Sequence, residues 1–371
     1  MTNRERALAV LNYKPYDRLP IVHFGFWGEA LQQWCKEGHL KPEELNGCYD
    51  RSPAEEVIIK RLGFDFNWQP NYGVSAGLSP GFESKVIEEL PDGSKKVLNG
   101  DGLIILQKEG AGSIPAEVGH LLKGRKEWEE LYLPKLQFSE KRVNKKWFEA
   151  VKDDTGREIP LGLNCGSLFG SIRGWLGVPG LSYLYADDEE LYTEMIDTVG
   201  NLAYKCNEAV LATGAKFDYA NFWEDICFKN GPLVNPKVFD AKVGPHYKRI
   251  TELFNKHGVH IVSLDCDGMI DALVPTWINN GVNTMFPIEV GTWNASIAPW
   301  REKYGKELRG VGGMNKNVFA RDYAAVDAEI ERLKPLVALG GYIPCPDHRI
   351  PLGAKWENIQ YYCEQMRKAF G

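Results

Sequence analysis

The sequence predicts an α/β barrel, a (β/α)8 TIM-type fold carrying an N-terminal extension and an antiparallel β insertion. Three observations predict it. From residue 158 to the end, short apolar runs alternate with stretches of helical periodicity, and such units set parallel strands side by side through helical crossovers. No G-x-G-x-x-G and no G-x-x-x-x-G-K-[ST] follows a strand-like run, so the nucleotide-binding doubly wound alternative loses its main support. A chain of 371 residues that is 44% hydrophobic and 25% charged suits one elaborated barrel over residues 1–371 and excludes a disordered or collagen-like chain.

The elements follow in order. Thr2 and Glu5 stand at capping-box spacing ahead of an amphipathic helix, and nothing there has the make-up of a targeting segment. Residues 19–24 read as the first strand and 28–35 as a helix. Residues 64–119 change texture: runs at 85–89 and 95–98 flank the turn signal Leu90-Pro91-Asp92-Gly93, and a third run covers 103–108. This stretch reads as an antiparallel insertion or lid. Residues 123–152, rich in charge, read as surface helices. Strand 159–163 is followed by helix 188–212, with Leu191, Met195, Ile196, Val199, Leu202, Cys206 and Val210 on one face and Gly214 after it. Then come strand 217–222, helix 236–257, strand 260–264, helix 269–279 and strand 284–287. Strand 308–311, helix 322–339, strand 342–345 and a last helix from Trp356 complete the chain.

Composition narrows the function. Lys and Arg number 44 against 50 Asp and Glu, a net charge of −6 with no basic block, which argues against nucleic acid as a partner. The apolar stretch 272–288 is interrupted by Pro275, Asn279, Asn280 and Pro287 and is no membrane span. No two of the eight cysteines lie closer than 13 positions. That excludes a C-x-x-C zinc or redox motif and reads as buried thiols in a reducing cytoplasm.

In parallel barrels the chemistry lies at the C-terminal strand ends. Those positions hold His23-Phe24-Gly25-Phe26-Trp27, then Asn164 through Gly170, then Trp223-Glu224-Asp225 with Lys229-Asn230-Gly231-Pro232. Asp265-Cys266-Asp267-Gly268, Glu289, Gly312-Gly313-Met314-Asn315-Lys316 and Pro346-Asp347-His348-Arg349 follow. Several have two readings. Asp267 is a site carboxylate or the cap of a helix starting at Met269. Trp223 and Phe222 are slot or core, His23 is a site group or a satisfied core histidine, and Lys229 is a site cation or a solvated loop charge. Glu289 has no evident capping duty, and His348 lies in a loop between Pro346 and Pro351.

These motifs, in this order, resemble the uroporphyrinogen decarboxylase superfamily, on its corrinoid-dependent methyltransferase side. The likeness runs through Trp223-Glu224-Asp225, Lys229-Asn230-Gly231-Pro232, residues 262–268, Phe286-Pro287-Ile288-Glu289-Val290, Gly312-Gly313-Met314-Asn315-Lys316, Gly340-Gly341-Tyr342-Ile343-Pro344 and Asp347-His348. Two departures sort the chain within that superfamily. Its decarboxylases carry Arg-Gln-Ala-Gly-Arg after the first strand, whereas residues 21–50 contain no arginine; a carboxylate-rich tetrapyrrole needs such cations. The coenzyme M methyltransferases of the superfamily bind zinc through His-x-Cys and a later Cys, and those positions fall on Asp265, Asp267 and His348. Cys266 and Cys345 lie off these positions, within reach only of a register slip.

The resemblance therefore implies a harder zinc site of Asp265, Asp267 or Glu289, and His348, of the kind that serves O-demethylation. It implies methyl transfer from a small methylated, methoxylated donor to cob(I)alamin on a partner corrinoid protein, since the chain has no Asp-x-His-x-x-Gly of its own. In that scheme Glu224, Asp225 or Glu289 supplies the proton. His23, Phe24, Trp27, Asn164, Phe169, Trp223 and Lys229 bind the donor, and a homodimer is implied by resemblance alone. The alternatives are a metal-independent decarboxylase or lyase on the same barrel and a non-enzymatic corrinoid- or ligand-binding module.

Overall fold

The computed structural model describes residues 1–70, 72–108, 115–152 and 156–371. Its first helix, Asn3–Leu11, starts at the foreseen capping box: the Thr2 hydroxyl accepts from the Glu5 N–H at 3.1 Å, and the Glu5 carboxylate accepts from the Thr2 N–H at 2.7 Å.

The first strand is β1 (Val22–His23), paired in parallel with β2 (Phe66–Asn67). The next, β3 (Tyr72–Gly73), opens a parallel sheet instead. Between it and the rest of that sheet lies an antiparallel four-stranded sheet of β4 (Lys85–Glu89), β5 (Lys95–Leu98), β6 (Leu103–Gln107) and β7 (Ala116–His120). The parallel sheet continues through β8 (Gly162–Asn164) and β9 (Tyr219–Trp223). A small hairpin of β10 (Cys227–Phe228) and β11 (Gly231–Pro232) precedes its remaining strands β12 (Val262–Asp265), β13 (Thr284–Ile288), β14 (Arg309–Met314) and β15 (Tyr342–Pro346). Backbone bonds join the separate β1–β2 pair to the β15 end of this sheet: the Trp27 N–H donates to the Ile350 carbonyl at 3.0 Å, and the Ile350 N–H donates to the Gly25 carbonyl at 3.1 Å. Segments that follow β1 and β15 therefore touch. Strands β12, β13 and β15 are buried along their whole length, the signature of parallel strands covered on both faces.

Three sequence expectations need correction. Residues 64–119 are not one insertion, because β2 and β3 pair with barrel strands and the antiparallel sheet spans residues 85–120. Two-residue strands carry no readable alternation. Residues 71 and 109–114 of that stretch lie outside the described residues. The helix expected over 269–279 covers only Val274–Asn279, so Asp267 caps nothing. A helix went unread at Gly170–Asp187, where Gly177 takes φ 65° and Pro179 follows; glycine and proline masked its periodicity. Among the described residues, no helix is long and apolar enough to cross a membrane.

Candidate active site

The strand ends open on a cavity of about 350 Å³, lined by Phe24, Trp27, Trp223 and His348 together with Asp225, Asp265 and Asp267. Asp225, Asp265 and Asp267 each present an oxygen, and the three oxygens lie within 4.8 Å of one another. They reach this cluster from neighbouring strands. Asp265 is the last residue of β12, and Asp225 follows β9 in a left-handed conformation (φ 47°) that swings its carboxylate inward. There the Asp225 carboxylate accepts the Asp267 N–H at 3.3 Å.

His348, from the loop after β15, sets its Nε2 3.1 Å from an Asp267 carboxylate oxygen. Its ring lies flat on Trp27, with centroids 5.5 Å apart at 16°, and meets Phe24 edge-on. Two aromatic contacts thus hold the imidazole where Asp267 can reach it.

Electrostatics mark the cluster as short of positive charge. Burial, and then repulsion from Asp267, pushes the Asp225 carboxyl up to about 6. Burial and then its two aspartate neighbours hold Asp265 well above the ordinary carboxylate range. A consequence is measurable in chelator-treated protein. The unfolded Asp225 titrates near 3.8 and the folded one at about 6, so the native state binds the extra proton between these values. Its contribution is favourable below about pH 4 and is lost as the pH rises through about 6, by roughly 3 kcal/mol. Asp225→Asn is therefore expected to be more stable than the wild type at pH 7 and to lose this part of the slope. Denaturant titrations from about pH 4 to 7 measure the difference, and an identical slope in the two proteins would contradict it.

Glu289 stands one layer behind. Its carboxylate accepts the Gly268 N–H at 2.5 Å and the Thr292 hydroxyl at 3.0 Å. Burial and then Asp267 raise its pKa. It braces the turn that carries Asp267 and does not line the cavity.

In fold, the chain is similar to a methyltransferase from Methanosarcina mazei, with a TM-score of 0.63 and 16% identity over 99% of this chain and 98% of that one. The chain shares that barrel fold. A looser likeness links it to a B12-independent methionine synthase from Shewanella sp. W3-18-1, at a TM-score of 0.47 and 12% identity over 95% and 98% of the two chains. No protein-family model matches the chain, and no curated protein matches it significantly.

Within this barrel the remaining candidates separate. Phe24, Trp27, Asn164 and Trp223 line the cavity. Trp223 is 41% exposed whereas Phe222 is fully buried, so the pair divides between slot and core. Four candidates do not reach the cavity. Glu224 is fully buried, and its oxygens accept from the Ser167 hydroxyl and the backbone N–H groups of Leu168, Phe169 and Gly170 at 2.6–2.9 Å, as well as from the Tyr247 hydroxyl. A carboxylate so engaged ties the loop after β8 to β9. A Cβ on Gly170 would lie 1.9 Å from the Glu224 carbonyl oxygen, so only glycine permits this approach. Phe169 packs on Tyr192 and Phe239. His23 is fully buried between Phe26 and Phe64, and its Nδ1 accepts the Gly25 N–H at 3.0 Å. Burial, and then Arg349, pushes its pKa down to about 3, so it is a neutral core histidine. Lys229 is exposed in the β10–β11 turn. Cys266 and Cys345 are buried and off the cavity, so no register slip brings a thiol in.

Sequence reasoning missed Gln69 and Asn221, which line the cavity, and gave no role to Arg349, which it had placed at a strand end and which lines the cavity too. Asn221 had a signal: it alternates with Tyr219 and Trp223 along one strand and so shares a face with them. Arg349 had its strand-end position, but its pairing with Asp50, 3.1 Å away across the fold, left no local mark.

Proposed function

We propose that this chain is a corrinoid-dependent methyltransferase that moves a methyl group from a small methoxylated donor to cob(I)alamin on a separate corrinoid protein. The observation that carries the reading is the convergence of Asp225, Asp265 and Asp267 at the barrel mouth, with His348 on Asp267 and stacked on Trp27. The fold shared with a methyltransferase and the resemblance to the uroporphyrinogen decarboxylase superfamily support it. The cavity, at about 350 Å³, is at the small end for ligand sites and suits a one-ring molecule.

The donor set fits a divalent metal. Buried carboxylates that repel one another gain from a cation between them, and three oxygens with one imidazole nitrogen form a set that zinc accepts. Asp225, Asp265 and Asp267, whose oxygens lie together, would hold it, with His348 reaching the set through Asp267, and Glu289 would steady the turn bearing Asp267. Bound there, zinc supplies Lewis acidity toward the heteroatom that leaves the methyl group.

The residues of the chain do the rest. Phe24, Trp27 and Trp223 offer the donor its apolar contacts in the cavity. Attack by Co(I) on the methyl carbon breaks the carbon–oxygen bond, and the departing oxygen takes up charge or a proton. Burial and the neighbouring Asp267 raise the proton affinity of Asp225 in the metal-free protein; as a ligand it would give that proton up when the cation binds. All eight cysteines are free thiols, which suits a cytoplasmic protein. A decarboxylase of carboxylate-rich substrates gains little support: Arg349 is the arginine lining the cavity, and both of its terminal nitrogens are engaged by Asp50.

Reduced free cob(I)alamin, zinc-loaded protein and a panel of methoxylated and N-methylated compounds test the reading through the absorbance of methylcobalamin. Methylcobalamin should form with at least one methoxylated donor. Its absence across the panel, together with carbon dioxide release from a carboxylic acid, would put the lyase in its place.

A further inference from the structure

The cavity floor beneath the carboxylates is built from carboxamides. The parallel register sets Asn164 of β8 against Asn221 of β9 and Asn221 against Ser263 of β12. Paired residues on neighbouring strands point to the same side, so one polar row crosses three strands. The row lies two residues before Trp223 and Asp265, which are themselves a register pair. Both asparagines line the cavity.

Their hydrogen-bonding capacity is unspent. Asn221 is 2% exposed, its carboxamide oxygen is buried without a partner, and the Ser263 hydroxyl beside it is likewise unpartnered. Asn164 uses its oxygen to accept the Gly166 N–H at 2.9 Å, which leaves its NH₂ group to donate. Gln69, the third carboxamide of the lining, favours the ionised form of Asp265. A buried acceptor without a donor is costly and uncommon in native structures. Here an acceptor and a donor belong to register partners that both line the cavity.

The group that satisfies both is a hydroxyl, which donates one hydrogen bond and accepts another. We propose that the methyl donor carries a free hydroxyl besides its methylated oxygen and seats that hydroxyl on Asn164 and Asn221. The word donor rests on the methyl-transfer reading; the hydroxyl subsite itself does not. The substrate class is then a small methoxylated phenol or alcohol, and a fully methylated ether is discriminated against. A site built to hydrogen-bond a hydroxyl rejects the analogue that lacks it, because its own polar groups stay unpaired.

Equilibrium binding tests this without any turnover. The probes are 2-methoxyphenol against 1,2-dimethoxybenzene, and 2-methoxyethanol against 1,2-dimethoxyethane, measured on zinc-loaded wild type and on Asn221→Leu. Leucine keeps the volume and removes the polar group, and a thermal melt confirms that the variant is folded. Wild type should bind at least one hydroxylated probe about tenfold or more tightly than its methylated partner, and Asn221→Leu should erase the preference while binding the diether no more weakly. Equal affinities in the wild type, a preference that survives in Asn221→Leu, or no binding of either hydroxylated probe would each overturn it; the second result would mean that the row holds only a water. Methylcobalamin formation is scored separately, so a protein that binds hydroxylated probes selectively but transfers no methyl group refutes the reaction and keeps the subsite.

Discussion

Asp267→Ala and His348→Ala are each expected to lower methyl transfer by about 10²–10³-fold or more and to reduce bound zinc from roughly one per chain to a small fraction. Both side chains lie on the cavity surface, with 38% and 20% of their area exposed, so neither truncation opens a core void, and the melting temperature should stay within a few degrees. The two residues are one unit. Asp267 reaches His348 at 3.1 Å, and His348 is held by Trp27. The double variant should therefore lose little more than either single one. Metal analysis and the methylcobalamin assay on the same preparations decide it. Full zinc content with normal transfer in either variant would remove that residue from the site.

Glu224→Ala is expected to act in the opposite manner, on stability first. The carboxylate accepts from a serine hydroxyl, three backbone N–H groups and a tyrosine hydroxyl in a fully buried setting. Its removal leaves several donors unpaired, a loss on the order of 4 kcal/mol. For a chain of this size that corresponds to a fall of about 5 °C in melting temperature. Activity should fall with it, since the loop it anchors starts from Asn164 on the cavity wall. Glu224→Gln, which keeps an acceptor oxygen, should lie between. A native melting temperature with activity abolished would return Glu224 to the role of proton donor that its position in the sequence suggests.

That contrast shows how far the sequence could be read. Glu224 and Asp225 are adjacent, both acidic and both just past a strand. Nothing in the residues distinguishes them. The left-handed backbone at Asp225 turns one carboxylate into the cavity, and the loop after β8 captures the other. His23 and Phe169 were drawn in by the same rule, strand-end position, and were lost to the core because Phe64 on the one, and Tyr192 and Phe239 on the other, come from distant segments. Trp223 went the other way, exposed where its neighbour Phe222 is buried. The row Asn164–Asn221 escaped notice because polar residues inside a strand gain meaning only from the register of the next strand.

By itself the sequence determined the barrel class, the positions of most parallel strands and the residues at their ends, because hydrophobic periodicity and turn chemistry are local properties written into neighbouring residues. Only the tertiary structure decided which of those residues meet. Whether a side chain at a strand end faces cavity, loop or core depends on backbone turns and on partners far away in the chain, and such partners carry no local mark.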